Sequence, residues 1–174
     1  MAYPNSSLSL VPAVIACLLA PLVAPADDLE VDFAQIASGH SLQRNQHDPI
    51  YSAVIWDAEG YAEFLKSYPI DLKGAKLDFT DEHVFLVGFS NRIPHAFCDG
   101  VSRRSHEGST AFYLDLHDSG LRIKRSAPPK GKTYTSWVLV CIPRPDAISH
   151  VQIREGITGL TSGFGTPPEA QSPE

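Results

Sequence analysis

Two runs decide the fold: His83-Val84-Phe85-Leu86-Val87-Gly88-Phe89 and Trp137-Val138-Leu139-Val140-Cys141-Ile142. Each is rich in β-branched and aromatic residues and apolar on both of its alternating faces. Such a strand has no face to offer water, so it lies centrally in a layered or strongly curved sheet. Gly88 marks a bulge or a close backbone approach within the first run. Pro143 and Pro145 end the second, because proline lacks the N–H that a ladder needs.

Upstream of the first run, Ile50-Tyr51-Ser52-Ala53-Val54-Ile55-Trp56 is strand-like, and Asp57 stands where a helix N-cap belongs. Tyr61, Phe64, Leu65 and Tyr68 then follow at i, i+3, i+4 and i+7, one face of a helix that Pro69 stops. The aromatic stripe reads as core packing. Between the two runs, Asn91 to Ala96 reads as a loop, and Phe97 to Arg104 and Thr110 to Leu116 as strands around a turn at Gly108. Asp118-Ser119-Gly120 is a hairpin signal before a strand over Leu121 to Arg125. Ser149 to Arg154 is the last expected strand, with Val151 and Ile153 inward.

The expected fold is therefore α+β: one helix packed on a strongly curved, mainly antiparallel sheet of about six to seven strands, sandwich- or barrel-like. The globular domain spans 50–155. An extended lead-in over 27–49, lacking sustained periodicity, precedes it. A mobile tail over 156–174, rich in Gly, Pro, Ser and Thr, follows.

The first 26 residues carry no charged side chain, and Leu8 to Val23 is mostly apolar. Ala24-Pro25-Ala26 before Asp27-Asp28 has the small-x-small pattern of a signal-peptidase site, so 1–26 reads as a cleaved leader. Val14-Ile15-Ala16-Cys17 also resembles a lipobox, but the apolar run continues past Cys17, which favours cleavage near Ala26 over lipidation. The mature chain is then secreted or periplasmic, with no membrane span. It retains Cys98 and Cys141, an even pair in an oxidising compartment, which predicts a disulfide.

The remaining composition is that of an ordinary globular protein, 43% hydrophobic and 20% charged. A formal net charge of −6 argues against nucleic acid as a partner, since that affinity rests on neutralising phosphates. Within this acidic chain, Arg103-Arg104 and Lys124-Arg125 stand on neighbouring expected strands. They form either an ordinary charged outer face or one positive patch for an acidic partner.

The stretch from about Ile55 to Ile142 resembles the PrcB-like C-terminal domain family, named for a protease-complex-stabilising lipoprotein. The likeness is carried by Trp56 at the entry to a helix ending at Tyr68, by Asp78-Phe79 ahead of Val84 to Phe89, and by a loop from Asn91 to Ala96. It continues in the pair Phe112 to Leu116 and Leu121 to Lys124, and in the close Val138 to Pro143. Family members carry a Gly-rich turn where this chain has Asn91-Arg92-Ile93-Pro94-His95. The resemblance implies a non-catalytic extracytoplasmic module that associates with or stabilises another protein, such as a protease. It brings no catalytic residue and no cofactor.

The residues read for chemistry agree with that. Seven histidines are present, yet none falls in the close pairing of a zinc site. His95 and Cys98 form an H-x-x-C pair, and His95 with Arg92 in the loop makes a candidate binding surface. A reactive thiolate at Cys98 and a disulfide to Cys141 exclude each other. No G-x-S-x-G elbow occurs, and Thr161-Ser162-Gly163-Phe164-Gly165 lacks the strand–helix unit of a phosphate loop. The leading expectation is an exported protein-interaction module using Arg92, His95, Arg103, Arg104, Lys124 and Arg125. The alternative is an exported small-molecule- or metal-binding protein with His95 at the mouth of the curved sheet.

Overall fold

The computed structural model describes residues 28–45, 50–72, 74–93, 95–106, 108–120, 127–154 and 160–167. The leader with Cys17, and the strand expected over Leu121 to Arg125 with Lys124 and Arg125, lie outside the described residues.

The chain is mostly β with one helix. The elements are β1 (Leu29–Glu30), β2 (Ala34–Asn45), β3 (Ile50–Ile55), α1 (Ala58–Ser67), β4 (His83–Ser90), β5 (Ala96–His106), β6 (Ser109–Asp118), β7 (Lys132–Pro143), β8 (His150–Ile153) and β9 (Leu160–Phe164). They form two mixed sheets, neither closed. The outer sheet has the order β1-β5-β6-β8 and the central sheet β2-β7-β4-β3-β9. Pairing is antiparallel except for β6 with β8 and β3 with β9.

The doubly apolar strands β4 and β7 lie side by side in the central sheet. One face of that sheet, with Val54, Val84, Leu86, Val138, Val140 and Ile142, packs against Val101, Phe112, Leu114, Leu116, Val151 and Ile153 of the outer sheet. The other face, with Ile55, Phe85, Val87, Phe89, Leu139 and Phe164 of β9, packs against Phe64 of α1. Each apolar face thus meets its own layer, which is why neither strand alternates. Gly88 is the close approach, not a bulge: a Cβ there would lie 3.1 Å from Leu114 Cδ1 and 3.2 Å from Leu116 Cδ1.

The helix forms as its spacing requires. Asp57 caps it, Oδ1 accepting from the Gly60 N–H at 2.7 Å, and the Tyr68 N–H closes on Phe64 O at 2.8 Å. Phe64 is fully buried, with Tyr61, Leu65 and Tyr68 packed partly buried around it.

Both flanks of the expected domain belong to the fold. The lead-in over 27–49 supplies β1 and the edge strand β2. Register shifts between Gln35 and Ala37 and between Gly39 and Leu42 break β2's alternation, which hides it from a periodicity reading. The tail over 156–174 supplies β9, whose Phe164 enters the core beside the helix.

The two sheets are bridged at both edges by side chains. At one, Gln35 Oε1 on β2 accepts from the Cys98 N–H at 2.8 Å, beside a bulge in β5. At the other, Ser52 Oγ donates to Val151 O at 2.9 Å while the Val151 N–H donates to Thr161 Oγ1 at 2.9 Å.

The expected disulfide is absent: Cys98 and Cys141 are both free. Cys98 lies in the core between the sheets, whereas Cys141 packs on the helix side of the central sheet. Val140 and Ile142 take the inner face of β7, so alternation sends Cys141 to the other. The central sheet stands between the two sulfurs.

Candidate functional site

Strand β5 sorts the basic residues. Past the bulge between Cys98 and Gly100, Val101 turns into the core, so Arg103 follows it to the inner side while Ser102 and Arg104 face outward. Arg103 and Arg104, read as part of either a charged outer face or one positive patch, therefore stand on opposite faces of β5.

Arg104 is neutralised. Its Nη2 lies 2.9 Å from Asp28 Oδ1, and Arg154 Nη2 lies 3.0 Å from Asp28 Oδ2. Arg154 Nε also meets Asp115 Oδ1 at 3.0 Å, and its Nη2 donates to Ser102 Oγ. Both guanidiniums lie over the Tyr113 ring, at 5.6 and 5.5 Å from its centroid. This network ties β1, β5, β6 and the end of β8 together across the outer face.

Arg103 opens instead onto a cleft of about 350 Å³ at one end of the sandwich. Leu29, Val31, Phe112, Pro143 and Pro145 supply apolar walls, Glu30 adjoins them, and Arg144 brings a second guanidinium. Leu29 is the exposed large hydrophobic side chain among the described residues, at 55%. Arg144 is held in place: its guanidinium lies 5.7 Å from the centroid of the buried Trp56 ring, and its backbone N–H donates to Glu82 O at 2.8 Å. Among the described residues, neither Arg103 nor Arg144 has a carboxylate within ion-pair distance.

The loop around His95 is built differently. Ser90 Oγ accepts from the N–H groups of Arg92 and Ile93 at 3.2 and 3.0 Å, and Ser136 Oγ donates to Ser90 O at 3.0 Å. Arg92 is exposed on this pinned turn. His95 is buried, 7% exposed, so it does not stand at an open mouth. Its ring meets that of His40 edge-on, centroids 4.5 Å apart. A cavity of about 140 Å³ adjoins His40, lined also by Leu42, Ile70, Asp71 and Trp137. Among the described residues, no group of three or more His, Cys, Asp or Glu side chains converges for a metal ion.

The thiols are not prepared for attack. Burial pushes the Cys98 thiol up to about 11, and its Sγ donates to Gly100 O at 3.2 Å. Burial, and then the nearby Asp78, raise Cys141 as well. Both are protonated at neutral pH, the inert form of the side chain.

Sequence reasoning found Arg103 but missed Arg144 and Leu29. Arg144 was hidden between two prolines read only as a strand stop, and Leu29 lay in the lead-in. A cation between two prolines at the end of a central strand is the signal that was available. Comparison of the chain with family models, with curated proteins and with solved structures finds no match.

Proposed function

We propose that this chain is a non-catalytic, exported interaction module of PrcB-like type, which associates with or stabilises an extracytoplasmic partner such as a protease. The observation that carries the reading is the cleft: Arg103 and Arg144, with no ion-paired carboxylate among the described residues, on walls that include the exposed Leu29. Charge flanked by apolar surface is the composition of an interaction hot spot. Arg144 is preorganised by Trp56, so little side-chain entropy is lost on contact. The strongly curved, barrel-like reading of the sandwich is supported by the bridges at both edges, Gln35 to Cys98 and Ser52 with Thr161 to Val151. Export is supported by the small-x-small pattern ending at Ala26, two residues before Asp28 is tied to the outer sheet.

A photo-cross-linking amino acid placed at Leu29 tests the interaction in the producing cell. A discrete adduct, lost on Arg103→Glu, is expected. No adduct, or one indifferent to Arg103→Glu, overturns the reading. Intact mass of the exported product tests the leader: a species retaining 1–26, or a lipid on Cys17, overturns cleavage near Ala26.

The edge-on contact of His40 and His95 beside a small cavity favours a second reading, an exported small-molecule- or metal-binding protein. Elemental analysis of protein purified without a histidine tag decides it. Stoichiometric metal that disappears in His95→Ala is its expected signature, and metal-free protein removes the metal form of it.

A further inference from the structure

We propose that the cleft recognises an extended acidic segment of a partner protein, one carboxylate seated between the guanidiniums of Arg103 and Arg144 and a neighbouring proline or aliphatic side chain resting on Leu29, Pro143 and Pro145. The proposal rests on the interaction-module reading and supplies the chemistry of its partner.

The contrast along β5 is the first argument. Arg104 shares the Asp28 carboxylate with Arg154 on the outer face. One residue earlier, Arg103 faces a cleft that holds a second cation and no ion-paired carboxylate among the described residues. Glu30 also lines the cleft but forms no ion pair with either guanidinium among the described residues; it is the cross-strand partner of Ser102, not of Arg103. Arg103 is exposed and Arg144 half-buried, and an anion entering a cleft lined by both is attracted by the charge of each. Guanidiniums bind carboxylates through paired, charge-assisted hydrogen bonds, so a carboxylate fits both the charge and the geometry.

The surroundings specify the rest of the ligand. A volume of about 350 Å³ is near the lower end of small-molecule sites, which run from about 300 to 1,000 Å³. It holds a few side chains of a passing segment rather than a large cofactor. Leu29, Pro143 and Pro145 offer dry contact area beside the charge. The chain as a whole carries a formal charge of −6, so a local cationic cleft directs an acidic segment to this place and away from the rest of the surface.

A random heptapeptide library selected on the purified chain tests this, with recovered peptides measured by fluorescence polarisation. Recovered sequences are expected to share an acidic residue beside Pro or a large aliphatic residue. Arg103→Gln, Arg144→Gln, or replacement of the peptide's acid by its amide should each weaken binding about 10- to 100-fold, the span of one lost charge-assisted contact. Lys66→Gln, on the exposed last turn of α1 and away from the cleft, should leave binding unchanged. Recovery of peptides without a shared acid overturns the proposal. So do acidic peptides that bind the Arg103→Gln and Arg144→Gln variants equally well, and so does a yield no greater than that of the doubly substituted chain. An adduct at Leu29 in the unsubstituted chain, with these peptide results failing, leaves the interaction module standing and removes only its acidic ligand; no adduct in the unsubstituted chain removes the module.

Discussion

The carboxylate of Asp57 reaches Thr166, 109 residues further along the chain. Its Oδ2 accepts from the Thr166 N–H at 2.9 Å while its Oδ1 caps α1 through the Gly60 N–H at 2.7 Å. The start of the helix and the end of β9 are therefore held by one side chain. The Trp56 N–H adds a bond to Phe164 O at 3.0 Å. A residue that reads locally as a helix cap is also the clamp on the last strand.

Acid should release that clamp. The backbone N–H of Thr166, then that of Gly60, hold the Asp57 carboxyl below its ordinary value of 3.8. A depressed folded value means that its stabilisation is present above the ordinary value and is lost as pH falls through the folded one. Asp57→Ala is expected to cost about 0.5–2 kcal/mol at neutral pH, the range for losing an N-cap. Urea denaturation should show the gap between parent and variant closing well below the ordinary carboxyl value. A gap of the same size in acid and at neutral pH would refute the assignment.

Gly60 should respond against its helix propensity. In an isolated helix, glycine to alanine is favourable by about 1 kcal/mol. Here an added Cβ would lie 2.4 Å from Gly165 N and 2.4 Å from Phe164 C, backbone atoms that cannot swing aside. Gly60→Ala is expected to destabilise by about 1–3 kcal/mol, as overpacking does. A more stable variant in thermal unfolding would show that β9 is not seated against the helix.

Phe64 is the anchor of the helix. It is fully buried, and its ring meets those of Tyr68, Phe89 and Phe164 at centroid distances of 5.3, 6.4 and 5.4 Å. Phe64→Ala should destabilise by about 3–5 kcal/mol. A loss under about 0.5 kcal/mol, the usual surface range, would contradict the docking.

The thiols offer a chemical check on the layering. In a Cys17→Ser chain, unreduced and denatured, two free thiols are expected, because Cys98 and Cys141 are unpaired. In the native state both should react slowly with an aromatic disulfide reagent near neutral pH, since burial raises both and places Cys98 at about 11. A count of zero would restore the bridge. Rapid native labelling of Cys98 would contradict its place in the core.

Much of the candidate site was illegible in advance for a physical reason visible in β5. Strand alternation correctly separates neighbouring side chains, but the bulge at Cys98 and Gly100 decides which neighbour goes inward. Pairing also counts: Asp28 and Arg154, distant in sequence, neutralise Arg104 and leave Arg103 as the basic residue of β5 that faces the cleft. The disulfide expectation failed on the same ground, since the face taken by Cys141 follows from the layer that covers each side of β7.

Local elements with strong periodicity or punctuation were legible in the amino-acid order alone. These are the capped helix from Asp57 to Tyr68, the doubly apolar strands β4 and β7, and the β5–β6 hairpin at Gly108, whose φ of +80° suits glycine. Each depends on neighbours within a few residues, where side-chain spacing and backbone preference act directly. Tertiary structure alone decided the division into two sheets and the parallel placement of β8 and β9. It also turned the bulged lead-in into an edge strand, and it brought Leu29, Arg103 and Arg144 around one cleft. Those outcomes rest on pairings between distant segments, whose free energy comes from burying faces against one another and leaves no period in the chain.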